Sequence, residues 1–155
     1  MESSNLNYIG FWPRVGASLI DLAILGVLTA PILTFHYGES YWVREEFGLA
    51  GPLDFILSYA FPALAVILFW SVKQATPGKM AIHAKIADAR TGQAPSTAQC
   101  IGRYFAYIPA TLPLGLGIIW VAFDPRKQGW HDKLAGTVVV APKVIIAKEV
   151  SFDEN

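Results

Sequence analysis

GASLIDLAILGVLTAPILTF, residues 16–35, reads as a membrane-crossing helix that carries an aspartate, Asp21, in its first half. At about 1.5 Å per residue a stretch of this length reaches about 30 Å, the thickness of a bilayer's hydrocarbon core. A charge inside such a helix costs roughly 2.5–3.5 kcal/mol on insertion scales, so Asp21 requires a compensating partner. Arg14 precedes the stretch, and Arg14, Ser18 and Asp21 share one helical stripe. Seven residues of helix separate Arg14 from Asp21 by about 10.5 Å, too far for direct pairing. Each charge therefore needs a partner from another part of the chain.

The composition agrees with a membrane environment. Of 155 residues, 54% are hydrophobic and only 15% charged, whereas soluble domains carry about 25% charged residues. The length suits one domain, residues 1–155. Formal net charge is zero, which gives no overall basic excess for nucleic acid. One cysteine, Cys100, excludes an intramolecular disulfide and reads as a small packed apolar residue. The N-terminal MESSNLNYIGFWPR has no basic region ahead of its apolar stretch, so it reads as a lead-in to a retained anchor rather than a cleaved signal.

Outward from the first span, DFILSYAFPALAVILFWSV opens a second at about 54–73. Pro31 is expected to kink or end the first helix, and Pro62 is tolerated inside the second because neighbouring groups can re-satisfy the freed carbonyl. A third apolar region, about 98–123, is divided by Pro109, Pro113, Gly115 and Gly117. It reads as one broken span or as two short helices in a re-entrant hairpin. The intervening loop holds Glu39, Glu45, Glu46 and Asp54 against Arg44, whereas Lys73, Lys79, Lys85 and Arg90 follow the second span. Arg126, Lys127, Lys133, Lys143 and Lys148 follow the third region. The positive-inside rule then puts both termini in the cytoplasm and favours an even number of crossings, hence the re-entrant form. Trp42, Trp70, Trp120, Tyr41 and Tyr59 fall where an interfacial aromatic belt is expected.

Two cytoplasmic strands are expected. Met80, Ile82, Ala84 and Ile86 alternate with Ala81, His83 and Lys85, which predicts a strand within about 79–90. TVVVAP, in the C-terminal segment 124–155, is β-branched and predicts its partner. The fold class is thus mainly α: a small polytopic membrane protein with a short cytoplasmic strand pair.

The residues able to meet Arg14 and Asp21 lie in FDPRKQGWHDKLAGTVVV. Gly129 and Gly136 bracket a short helix-like element that carries His131, Asp132 and Lys133. If it folds back, Asp132 can meet Arg14, and Asp21 can meet Arg103, Arg126 or Lys133. His131 has no nucleophile arrangement beside it, His36 and His83 are isolated from further zinc ligands, and no phosphate loop or dinucleotide fingerprint occurs. Neither enzyme activity nor a metal or cofactor is expected.

These features resemble the RDD family of small membrane proteins, named for an arginine and two aspartates. Arg14 and Asp21 match its first helix, and Asp132 in GWHDKLAGTVVV matches its closing pattern, with Asp124 as the alternative. TPGKMAIHAKIADARTGQAPSTAQCIGRYF resembles its middle segment, including Asp88 and Arg103. The resemblance implies exchange of a monovalent cation for a proton through intramembrane carboxylates; the alternative, since buried charges often set specificity, is a non-transporting assembly or regulatory module in which the same charges are structural. Arg14, Asp21 and Asp132 are the principal candidates, and Ser18, Arg103, Asp124 and His131 the secondary ones. The expected surroundings are the bilayer of the cell membrane and either further copies of the chain or a partner membrane protein.

Overall fold

The computed structural model describes residues 6–45 and 48–143. Glu46 of the acidic loop and Lys148 of the basic tail lie outside these residues. Two spans come first: helix α1, Phe11–Tyr37, and a 22-residue helix over Pro52–Lys73. The second begins as α2 (Pro52–Phe55), passes through a π-helical turn at Ile56–Ala60, and continues as α3 (Phe61–Lys73). Pro62 explains the wide turn, because it offers no N–H to the carbonyl four residues earlier and the backbone must re-register around it. Both helices are long and apolar enough to cross a membrane. Pro31 does not end α1, which continues to Tyr37 and stops where Gly38 takes φ +78°.

After α3 the chain reverses at Gln74, left-handed at φ 59°, whose N–H bonds to the Trp70 carbonyl at 3.1 Å. Helix α4 (Pro77–Ala81) follows, then strand β2 (Lys85–Asp88). The strand expected across 79–90 is therefore only its second half. Thr76 and Pro77 are a cap and a first-turn proline, and this start signal overrides the period-two alternation of Met80 and Ile82. His83 takes φ 55° in the connecting turn.

Helix α5 (Thr97–Thr111) opens with a capping box: Gln99 N–H donates to Ser96 Oγ at 3.2 Å and Ser96 N–H to Gln99 Oε1 at 2.9 Å. The chain then turns through Leu114 and Gly115, both at positive φ, into α6 (Leu116–Ile119) and a 3₁₀ turn at Trp120–Ala122. The two pieces meet at 115°. A Cβ on Gly117 would stand 2.7 Å from Ala110 Cα, so only glycine permits this close a fold. Fifteen residues of α5 reach only about 22 Å, short of a full crossing. Arg126, just beyond the end of the hairpin, donates to the carbonyl of Ala89, shortly before its start, at 2.6 Å. The stretch thus departs from and returns to one end of the molecule.

At that end lie α7 (Trp130–Ala135) and β3 (Thr137–Pro142), joined at Gly136, φ 64°. β3 is the centre of a three-stranded antiparallel sheet of order β1-β3-β2, where β1 is Leu6–Tyr8, a strand added to the expected pair. Tyr8 and Lys85 both stand opposite Val140. The sheet's inner face, Ile86 and Val139, packs with Ala84 and Cys100 against Trp70. Trp70 is therefore core rather than part of an aromatic belt, whereas Trp42, Tyr59 and Trp120 are exposed.

Candidate functional site

Asp132 is the centre of the polar interior. It is wholly buried at 0% exposure, on the first turn of α7, where its Oδ2 accepts the Gly129 N–H at 3.0 Å and so closes the helix start. The same oxygen accepts from Arg14 Nη1 at 2.6 Å, and Oδ1 accepts from Arg103 Nη1. Arg14 further donates to the carbonyls of Ile9 and Lys127 at 3.0 and 2.5 Å. One carboxylate thus joins α1, α5 and α7, and Arg14 binds in the edge of the sheet. Burial alone would raise the Asp132 carboxyl, but the guanidinium groups of Arg103 and Arg14 outweigh it and hold it below the usual carboxylate range.

Asp21 takes a partner of a different kind from any expected. Its Oδ1 accepts the Gly78 N–H at 2.7 Å, and its Oδ2 accepts from Thr76 Oγ1 at 2.5 Å. No cation within ion-pairing distance of Asp21 occurs among the described residues. Arg103 is engaged by Asp132, Lys133 by Asp124, and Arg126 donates to the Ala89 carbonyl at 2.6 Å. Asp21 is instead a cap supplied by α1 to the start of α4, whose free N–H groups favour an anion there. Gly78 makes this possible: a Cβ at that position would stand 1.9 Å from the Ala17 carbonyl oxygen. TPGK is the stretch that carries this cap, and a backbone N–H leaves no mark in the pattern of opposite charges.

Of the secondary candidates, Ser18 lies exposed on α1 beside the clefts that Asp21 and Lys79 line. Asp124 pairs with Lys133 and accepts the N–H groups of Arg126 and Gln128 at 3.1 Å each. It shapes the loop before α7 and does not touch Arg14. His131 stacks on Tyr107 with ring centroids 3.9 Å apart, and its Nε2 lies 3.5 Å from Asp132 Oδ2. Burial, only partly opposed by Asp132, pulls the imidazole down to about 3. Lys79, absent from the sequence candidates, is 6% exposed. Burial and then the repulsion of Arg103 pull its ammonium down to about 8. Among the described residues no group of His, Cys, Asp and Glu is arranged to hold a metal.

His131 gives an acid sensitivity with a definite sign. An imidazole held neutral by the fold contributes stability above its unfolded value of 6.5, and that stability is lost as pH falls toward about 3. Thermal unfolding in detergent is expected to lose up to about 1.4 kcal/mol per pH unit across this window. Lys79 acts only between about 8 and 10.5, and Asp132 only below 3.8. A His131→Gln variant should therefore be nearly flat between pH 6 and pH 4.5, on the order of a few tenths of a kcal/mol; an unchanged slope would assign the sensitivity elsewhere.

Arg14 at the head of α1 pairs with Asp132 of α7, Asp21 separately caps α4, and the family model described as the RDD family matches residues 8–136. The chain belongs to the RDD family. Arg14, Asp21 and Asp132 tie α1 to α4, α5 and α7. The chain is 29% identical to an uncharacterized protein of Rickettsia prowazekii (strain Madrid E), covering 86% of this chain and 95% of the relative. It is 32% identical to the uncharacterized protein YxaI of Bacillus subtilis (strain 168), covering 84% and 95%. A third relative, the uncharacterized membrane protein YteJ of the same organism, is 31% identical over 88% of this chain and 83% of its own. No solved structure matches the chain. With its two apolar helices, this RDD chain is a membrane protein.

Proposed function

We propose that this RDD protein is a non-enzymatic, non-transporting membrane module in which the Arg and Asp residues lock a polar cap onto two spans. The observation that carries the reading is the complete engagement of Asp132, buried at 0% exposure between Arg14, Arg103 and the Gly129 N–H. A carboxylate that exchanges a proton for a cation must titrate near neutral pH and release its partners, and Asp132 is held in the opposite direction. Arg14, Lys79 and Arg103 surround two aspartates, an excess of positive charge that repels a monovalent cation. In the membrane the sheet end faces the cytoplasm, where the basic residues gather, and α5–α6 is re-entrant. The exposed apolar faces of α1 and α3 meet lipid, further copies of the chain, or the helices of a partner membrane protein.

The competing reading, cation/proton exchange, draws on the two intramembrane-side carboxylates and the broken α5–α6 helix. Both readings meet in one experiment: sodium- or potassium-driven proton flux in proteoliposomes holding wild type, Asp21→Asn or Asp132→Asn. Asp21→Asn is expected to fold, since its amide oxygen still accepts from Gly78 and its amide nitrogen can donate to Thr76 Oγ1. Wild type should give no flux above empty liposomes. Flux in wild type that disappears in a folded Asp21→Asn protein would overturn the proposal.

A further inference from the structure

Between α1, α4, α5 and α7 lies a cavity of about 330 Å³ whose accessible lining is mostly apolar. Its polar and ionisable lining residues are Arg14, Ser18, Lys79, Arg103, Tyr107 and His131. Arg103, 1% exposed, spends Nη1 on Asp132 and on Thr137 Oγ1. Its other nitrogens, Nε and Nη2, are buried and meet no acceptor in full hydrogen-bond geometry, with the Tyr107 hydroxyl the polar group close to the guanidinium. His131 Nδ1 is likewise buried and unpartnered. Lys79, 6% exposed, has no carboxylate within ion-pairing distance among the described residues. Buried donors left unpaired are costly, and a cluster with three cations and two carboxylates calls for a further negative charge.

We infer that this cavity binds the phosphate group of an anionic phospholipid, held by the free edge of Arg103 together with Lys79 and Ser18. The Nε and Nη2 edge of a guanidinium is a fork that fits two oxygens of one anion, and an ammonium and a hydroxyl supply donors for the others. The walls select a lipid over a soluble anion. Leu19 and Leu22 line the cavity and are 61% and 64% exposed on the apolar flank of α1, and Ile118 lines it as well. An acyl chain leaving the cavity would lie along this flank, parallel to α1. Zwitterionic lipid carries a quaternary amine that the same cations repel, so the site discriminates by charge. The lowered Lys79 ammonium is what a binding cation looks like without its anion, and the bound phosphate would return it toward its ordinary value. Lipid binding here stands whether or not the carboxylates transport.

The test is native mass spectrometry of the delipidated, detergent-solubilised full chain with phosphatidylglycerol, phosphatidylcholine or inorganic phosphate. One phosphatidylglycerol is expected per chain, at least about tenfold tighter than phosphatidylcholine. Lys79→Met should abolish that preference, Lys79→Arg should keep it, and Lys85→Met, on an exposed strand position, should leave it intact. Lys79→Met is also expected to unfold at the same or higher temperature than wild type, because it removes a buried, unpaired charge. Ser18→Leu, which fills the cavity from an exposed helix position, should block binding without depending on the lysine. Equal affinity for the two lipids, or a preference that survives both Lys79→Met and Ser18→Leu, would overturn the inference. Inorganic phosphate that binds as tightly as phosphatidylglycerol would overturn the lipid assignment.

Discussion

Asp132→Asn is expected to cost about 3–5 kcal/mol of stability, the range seen when one partner of a buried ion pair is removed. Asparagine keeps the shape of the side chain but offers one acceptor oxygen where two arginines and the Gly129 N–H converge. Its amide N–H groups would point at one of those donors, and two buried guanidinium groups would lose their counter-charge. Unfolding in detergent micelles should show a large loss, and the protein should become prone to proteolysis at the sheet end first. Asp124→Asn is the internal comparison. Its partner Lys133 is 44% exposed, so the loss there should be about 1 kcal/mol or less. Similar losses at the two positions would contradict the special place given to Asp132.

The second large effect is expected at a glycine. In Gly78→Ala the added Cβ would meet Ala17 O at 1.9 Å, Ala17 C at 2.8 Å and Asp21 Cγ at 3.0 Å. Two of these atoms are backbone of α1, and Ala17 is fully buried, so nothing at the contact can rotate away. Helix α4 must lift, and Asp21 then loses the Gly78 N–H and the Thr76 hydroxyl together. Overpacking at about 1–3 kcal/mol and charged hydrogen bonds at about 1.5–3 kcal/mol set an expected cost of roughly 3 kcal/mol or more. Gly16→Ala and Gly26→Ala place their Cβ atoms in open space on the same helix. They should be neutral or stabilising by up to about 1 kcal/mol. A Gly78→Ala protein as stable as Gly26→Ala would mean that α4 does not seat on α1.

These two residues also mark how far the sequence could be read. Hydropathy carried the two spans, because long apolar runs have few alternatives in water or lipid. Gly129 and Gly136 bracketed α7, and the distance from Arg14 to Asp21 pointed to partners elsewhere. Arg14 did meet Asp132, but Arg103 joined them instead of Asp21. Opposite charge is the visible cue for pairing, yet Asp21 is satisfied by a hydroxyl and a backbone N–H that every residue but proline possesses. Lys79 was equally hidden: counted among charges that orient the chain, it turned out to be buried within the polar interior. Ser96 and Gln99 were legible as a capping box and would have placed the start of α5. The first strand, β1, was not legible. Three residues of edge strand carry little pattern, and its register depends on β3, more than a hundred residues away.

The central claim is that Arg14 and Asp132 act as one lock between the first span and the cap, across 118 residues of chain. A double-mutant cycle on unfolding free energy with Arg14→Met, Asp132→Asn and the double variant measures it directly. The lock predicts a coupling of at least about 1 kcal/mol, the double variant losing less than the two singles added; additivity within about 0.5 kcal/mol would contradict it.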